Sequence, residues 1–182
     1  LAINPEQIRK DLAFFGQFGK KGVGYYVAEL KESIGGILGL DNHWNVAIIG
    51  MGHLGAALAN YQGIARLGFR LAAIFDANPV VIGTRVGERR VEDIAYLAEI
   101  IAERDIQIGV IAVPAAHAQG VADQLVAAGI RGIWNFAPVK LQVPPSIPFV
   151  SEDLSVGLSA LSYYLTHASA EDGELSDKNL TD

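Results

Sequence analysis

Apolar positions follow two different rhythms along this chain. In the first forty residues they recur at helical spacing. Ile8, Leu12 and Phe15 fall at i, i+4 and i+7 on one face, with Arg9, Lys10 and Asp11 turned elsewhere. Asn4 is placed to cap that helix, Pro5 suits its first position, and Gln7 can reach back as the capping-box partner. Gly16 closes it. The stretch from Gly16 to Tyr26 intersperses glycines and lysines with aromatic and β-branched residues, which predicts a tight β-ribbon. Helical spacing resumes from Val27 to Leu38, with Gly39 as C-cap and residues 40–43 as a linker.

From Trp44 the rhythm changes to short apolar blocks alternating with helical stretches, the signature of an α/β fold with a parallel sheet. The pattern predicts strands over 45–49, 70–75, 107–113 and 132–136, and a weaker one over 148–151. It predicts helices over 53–61, 93–103 and 115–128, and a last helix over 155–166 whose apolar set is Val156, Leu158, Leu161, Tyr164 and Leu165. The polar, acidic residues from Ala168 onward are expected to be disordered.

The most informative segment is Asn45-Val46-Ala47-Ile48-Ile49-Gly50-Met51-Gly52-His53-Leu54-Gly55. This is G-x-G-x-x-G directly after an apolar strand and at the opening of a helix. In that context Gly50 permits the tight turn, Gly52 lets backbone amides approach a pyrophosphate, and Gly55 lets the helix pack on the sheet. Glycine turns also occur in proteins that bind no nucleotide, so the acidic partner matters. The second strand ends Ile74-Phe75-Asp76, where a carboxylate accepts hydrogen bonds from the adenosine ribose. Ala77-Asn78-Pro79 follows without an arginine, so a 2′-phosphate has no partner and NAD(H) is favoured over NADP(H). Val113 and Pro114 fall at the ligand-facing end of a later strand.

Composition then removes several function classes. There are no cysteines, so disulfides, thiolate metal sites and thiol redox sensing are excluded. No apolar run is long enough for a membrane span and no leader precedes the first helix, so a cytoplasmic protein is expected. Catalysis has poor support. His43 falls in the linker and His167 at the tail, and His53 opens the glycine-loop helix. His117 follows Val113-Pro114 at the ligand-facing end of a strand but is disfavoured as a catalytic group, as is Lys140, and little chain is left to build a substrate domain. No catalytic and no metal residues are assigned.

The net charge of −6 is unevenly spread. Residues 1–25 carry Arg9, Lys10, Lys20 and Lys21 against Glu6 and Asp11, a balance of +2, and the remainder carries −8. A short helix showing Arg9 and Lys10, followed by a Lys20-Lys21 ribbon, has the order of a DNA recognition helix and wing. A solvated helix face has the same composition, and charge alone does not separate the two.

Together these landmarks resemble the Rex family of redox-sensing repressors. Gln7-Ile8-Arg9-Lys10-Asp11-Leu12 with Phe15-Gly16 and Gly22-Val23-Gly24-Tyr25 is similar to that family's recognition helix and wing. Gly50-Met51-Gly52-His53-Leu54-Gly55 is similar to its nucleotide loop, and Val113-Pro114, Ala118-Gln119 and Asn135-Phe136-Ala137-Pro138 follow in order. The resemblance covers residues 3–165. It implies a partial winged-helix DNA-binding domain (1–40), a Rossmann NAD(H)-binding domain (44–152), a C-terminal helix (153–166) swapped in a homodimer, and an acidic tail (167–182). It also implies that inverted-repeat operator DNA is held in the presence of NAD⁺ and released by NADH. By resemblance, Tyr61 and Asp153 lie near the nicotinamide or the domain interface, and Gln7 joins Arg9, Lys10, Lys20 and Lys21 as DNA contacts.

Two features depart from the family pattern. The helices expected ahead of a recognition helix are absent, and the chain begins at Leu1, so preceding residues are expected to be missing from it. Val80-Val81-Ile82 stands where the family often has a lysine. Two other readings compete: a small NAD-dependent oxidoreductase, and a CoA- or nucleotide-binding module resembling the Rossmann domains of acyl-CoA synthetases.

Overall fold

The computed structural model describes residues 4–16, 18–19, 24–37, 39 and 42–176, with backbone alone over 168–176. Of the ribbon predicted over 16–26, residues 17 and 20–23 fall outside these residues, Lys20 and Lys21 among them.

Helix α1 (Pro5–Phe15) opens as its sequence predicts, with Asn4 accepting a 2.9 Å hydrogen bond from the Glu6 amide and Pro5 at its first position. Gln7, expected to reach back as the capping-box partner, donates forward to Asp11 Oδ1 at 2.8 Å instead. No α1 residue is buried: on its Ile8-Leu12-Phe15 face Leu12 is half-buried and the other two are exposed. Helix α2 (Val27–Ile37) follows, and Gly39, at φ +67°, turns the chain after it.

The remainder is a seven-stranded sheet in the order β3-β4-β2-β1-β5-β6-β7. Its strands are β1 (Trp44–Ile49), β2 (Phe69–Asp76), β3 (Arg85–Val86), β4 (Arg89–Asp93), β5 (Ile108–Ile111), β6 (Gly132–Asn135) and β7 (Phe149–Ser151). All neighbours pair in parallel except β3 with β4. The order reverses direction at β1, as in dinucleotide-binding sheets, and the ligand crevice of such a sheet lies beyond the strand ends at that reversal.

The two faces are covered unequally. Helices α5 (Leu97–Glu103) and α6 (Ala115–Ala127) bury Ala47, Ile49, Phe75, Ile111 and Leu125 on one face. The opposite face carries α3 (His53–Ala59) and α4 (Gln62–Arg66), and has the smaller core of Val46, Ile48 and Val110. A 460 Å³ apolar groove remains there, bounded by Tyr61, Ile64, Trp134, Pro148 and Val150.

Several elements differ from expectation. The β3–β4 hairpin was not predicted, because Arg85-Val86-Gly87-Glu88-Arg89-Arg90 lies at a sheet edge and needs only Val91 as a buried anchor. The helix expected from residue 93 begins with a 3₁₀ turn (Ile94–Tyr96), capped by the Asp93 carboxylate. The helix expected over 53–61 stops at Ala59, and α4 follows Tyr61. The last helix, α7 (Val156–Ser176), runs past its expected end at Thr166 and through residues expected to be disordered. Ala168, Ala170, Glu171 and Glu174 are strong helix formers, which accounts for the extension.

Candidate dinucleotide site

The glycine loop joins β1 to α3, and each glycine answers a different constraint. Gly50 adopts φ +101°, and a Cβ there would stand 2.6 Å from the Ala112 carbonyl oxygen. A Cβ on Gly55 would collide with the Gly50 carbonyl oxygen, so only glycine lets α3 approach β1 this closely. Gly52 is open: nothing lies within 4 Å of where its Cβ would be. That opening is the space a pyrophosphate needs against the backbone. The amides of His53, Leu54 and Gly55 begin α3 and have no carbonyl four residues back to accept them within the helix. His53 and Gly52 are exposed, Met51 and Leu54 half-buried.

Asp76 closes the other side of the loop. Its Oδ2 accepts a 2.6 Å hydrogen bond from the Met51 amide and its Oδ1 a 2.8 Å bond from the Asn78 amide. The carboxylate predicted to meet the ribose is therefore held by backbone donors on both sides, with lone pairs left over for hydroxyls. The link between Asp76 and Met51 had no sequence signal, because it joins residues far apart in the chain.

These groups border one cleft of 540 Å³. Gly50, Gly52, Asp76, Val113 and Pro114, all predicted, line it together with Ile94, His117, Val121 and Gln124. His117 and Gln124 stand seven residues apart on α6, on the same face two turns apart. Among the described residues no lysine or arginine lines the cleft. Tyr61 and Asp153 are not brought into it. Tyr61 borders the apolar groove on the opposite face instead.

Asp153 lies in the turn that leads into α7. Its Oδ1 accepts from the Ser155 hydroxyl at 2.6 Å and the Ser155 amide at 2.8 Å. Those two bonds, the hydroxyl's first, hold its carboxyl below the usual carboxylate range.

Sequence reasoning passed over the role of Asn135, which is fully buried. Its side-chain oxygen accepts from the Ala137 amide, and its nitrogen donates to the Ala137 carbonyl and to Ser151 Oγ, both at 3.0 Å. It ties the end of β6 to the end of β7. A backbone ladder runs along the same edge, from the Gly50 amide to Phe75, Ala112 to Ile49, Phe136 to Ile111, and Glu152 to Asn135. The glycine loop and the start of α7 are thus joined by consecutive hydrogen bonds.

A parallel sheet that reverses at a glycine loop, with an acidic residue at the tip of the second strand, defines a nucleotide-binding Rossmann domain. Residues 41–139 match the CoA-binding domain family. The redox-sensing transcriptional repressor Rex of Clostridium perfringens is 46% identical over 167 residues, covering 92% of this chain and 79% of that protein. Rex of Chloroflexus aurantiacus is 47% identical over 163 residues, 90% of this chain and 77% of that one. Among solved structures, RSP in complex with β-NAD⁺ and operator DNA superposes with a TM-score of 0.87 at 41% identity, covering 99% of this chain and 82% of RSP. RSP with β-NADH gives 0.84 at 40% identity, over 94% of this chain and 80% of RSP. The chain belongs to the Rex family of redox-sensing transcriptional repressors.

Proposed function

We propose that this chain senses the NADH/NAD⁺ ratio at the glycine-loop cleft and controls operator DNA through the segment that contains α1. The single observation that carries the cofactor assignment is the open Gly52 position facing an Asp76 carboxylate already held in place by the Met51 amide. NADP(H) and CoA each bring an additional phosphate on the adenosine ribose. The cleft offers that phosphate no cation and meets it with a carboxylate, so the CoA-binding reading and NADP(H) are both disfavoured.

The bound cofactor supplies one difference: its nicotinamide ring is cationic when oxidised and neutral when reduced. The protein's part is to convert that difference into geometry. The ladder along the strand ends and the Asn135 side chain connect the glycine loop to Ser151, and Asp153 then fixes the start of α7. In this reading Asp153 and Tyr61 act at the nicotinamide side or the domain interface, and α7 packs on the partner of a homodimer. Swinging the population from 1:99 to 99:1 requires about 5.5 kcal/mol of differential affinity. Gln7, Arg9 and Lys10 on α1, and Lys20 and Lys21 after it, contact an inverted-repeat operator, as two-fold symmetry demands. His117 lines the cleft with no carboxylate partner among its hydrogen bonds, so no catalysis is assigned. The protein acts in the cytoplasm, and no described helix is long and apolar enough to cross a membrane.

Thermal denaturation with NADH, NAD⁺, NADPH and CoA tests the assignment. NADH is expected to raise the melting temperature most, since a ligand that binds only the native state stabilises it. Asp76→Ala is expected to weaken NADH binding by roughly 1.5–3 kcal/mol, the scale of charge-assisted hydrogen bonds. A larger shift from CoA than from NADH, or unchanged NADH affinity in Asp76→Ala, overturns it.

A further inference from the structure

Helix α6 carries a glycine that the fold does not require. Gly120 stands well inside this 13-residue helix, in ordinary helical backbone, and a Cβ there would meet nothing within 4 Å. Glycine in a helix interior is less stable than alanine, because it loses more backbone entropy on folding. Gly50 and Gly55 differ, since a Cβ at either would strike the backbone. Gly120 shares its open position with Gly52, and both line the same cleft.

Helix α6 gives that cleft one wall. Ala116, His117, Gly120, Val121 and Gln124 line it at i, i+1, i+4, i+5 and i+8, which is one helix face over two turns. Gly120 therefore sits midway along the wall. Asp76 at the end of β2, Ala77 after it and Ile94 just past β4 also line the cleft, and Ile94 packs on the main core. The side chain of Gln124 is exposed and has no hydrogen-bond partner among the described residues. Gln119, on the same helix but outside the cleft, is committed: it donates to Asp123 Oδ1 at 2.8 Å and to the Gln142 carbonyl at 3.0 Å, and accepts from the Gln142 amide at 2.9 Å. Gln124 thus brings a donor and an acceptor to the cleft with both uncommitted.

We propose that Gly120 and Gln124 select the base of the dinucleotide, and that the base they select is adenine. The inference rests on the dinucleotide reading above and assigns the part of the cleft which that reading leaves open. Asp76 takes the adenosine ribose, so the base on that ribose lies against the lining next to Asp76. Adenine is flat, with two apolar faces and a polar edge. The missing side chain at Gly120 lets such a ring lie close to the helix, and Ile94 offers it apolar surface. The edge of the ring sets the N6 donor beside the N7 acceptor, a pattern that a glutamine amide matches with two hydrogen bonds. Hypoxanthine presents two acceptors on that edge and leaves the amide oxygen facing one of them.

Calorimetry on the full chain tests this with NADH, with ADP-ribose, which lacks the nicotinamide, and with the hypoxanthine analogue of NADH. Gly120→Leu adds a good helix former at an open position, so the ligand-free melting temperature should stay at or above wild type. The same variant should weaken NADH and ADP-ribose by one common factor, about tenfold or more, because both lose the seat of the base. Wild type should prefer NADH over its hypoxanthine analogue roughly tenfold, and Gln124→Leu should remove that preference. Gln124 is exposed, so its variant reports on the base even where the Gly120 variant disturbs α6. Unchanged NADH affinity in Gly120→Leu, a loss for NADH without one for ADP-ribose, or a base preference unaltered in Gln124→Leu overturns this assignment and leaves the dinucleotide in the cleft. A wild type that binds neither NADH nor ADP-ribose overturns the dinucleotide reading and this inference together.

Discussion

Gly52→Val is expected to leave the protein folded and abolish its NADH binding. The separation follows from local geometry. Gly52 adopts φ −73°, a conformation open to any residue, and its Cβ position meets no atom within 4 Å. A valine therefore costs the empty fold little beyond ordinary surface effects. Its branched side chain instead fills the space in which a pyrophosphate must approach the amides at the start of α3. Calorimetry should show affinity reduced by at least about a hundredfold, equivalent to roughly 2.7 kcal/mol or more, with the ligand-free melting temperature near wild type. Gly55→Val is the contrasting variant. Its side chain would strike the Gly50 carbonyl, so it should lose stability with or without ligand. NADH affinity retained in Gly52→Val would remove the dinucleotide from this cleft.

Removing residues 154–182 is expected to convert a dimer into monomers or aggregates. Val156, Leu158, Leu161 and Tyr164 are each between 58 and 70% exposed on α7, as is Leu154 just before it. So many exposed apolar side chains along one helix mark an interaction site, and burying each is worth about 1.5–3 kcal/mol. The groove beside Tyr61 and Trp134 shows that the sheet has uncovered apolar surface too. Sedimentation should report the loss of the dimer in the long deletion. Deleting only 168–182 should leave the dimer intact, because the apolar set ends at Leu165. A cooperative, soluble dimer lacking residues 154–182 would rule out a swapped helix.

The parts of the fold that sequence reasoning reached are those with a local rule behind them. Asn4 and Pro5 open α1, the glycine loop follows an apolar strand, and the five longest or best-spaced apolar blocks became β1, β2, β5, β6 and β7. The β3–β4 hairpin escaped because an edge strand needs little apolar content, and one buried valine leaves no periodicity to detect. The site divides in the same way. Gly50, Gly52, Gly55 and Asp76 carry a motif at fixed spacing, and the structure brings Gly50, Gly52 and Asp76 to one cleft, with Gly55 packed behind them. The Met51–Asp76 bond and the Asn135 fastening depend on which strands lie side by side. No window of sequence contains that information.

The central claim is that one ligand, in one of its two oxidation states, releases DNA from this protein. A gel-shift titration of the full-length protein on an inverted-repeat duplex, beside a random duplex at the same low salt, tests it most directly. The account predicts tighter binding to the inverted repeat without NADH, release on adding NADH, and retention with NAD⁺ at the same concentration. Equal binding of both duplexes, or an NADH-saturated protein that still holds the inverted repeat as tightly, would contradict it.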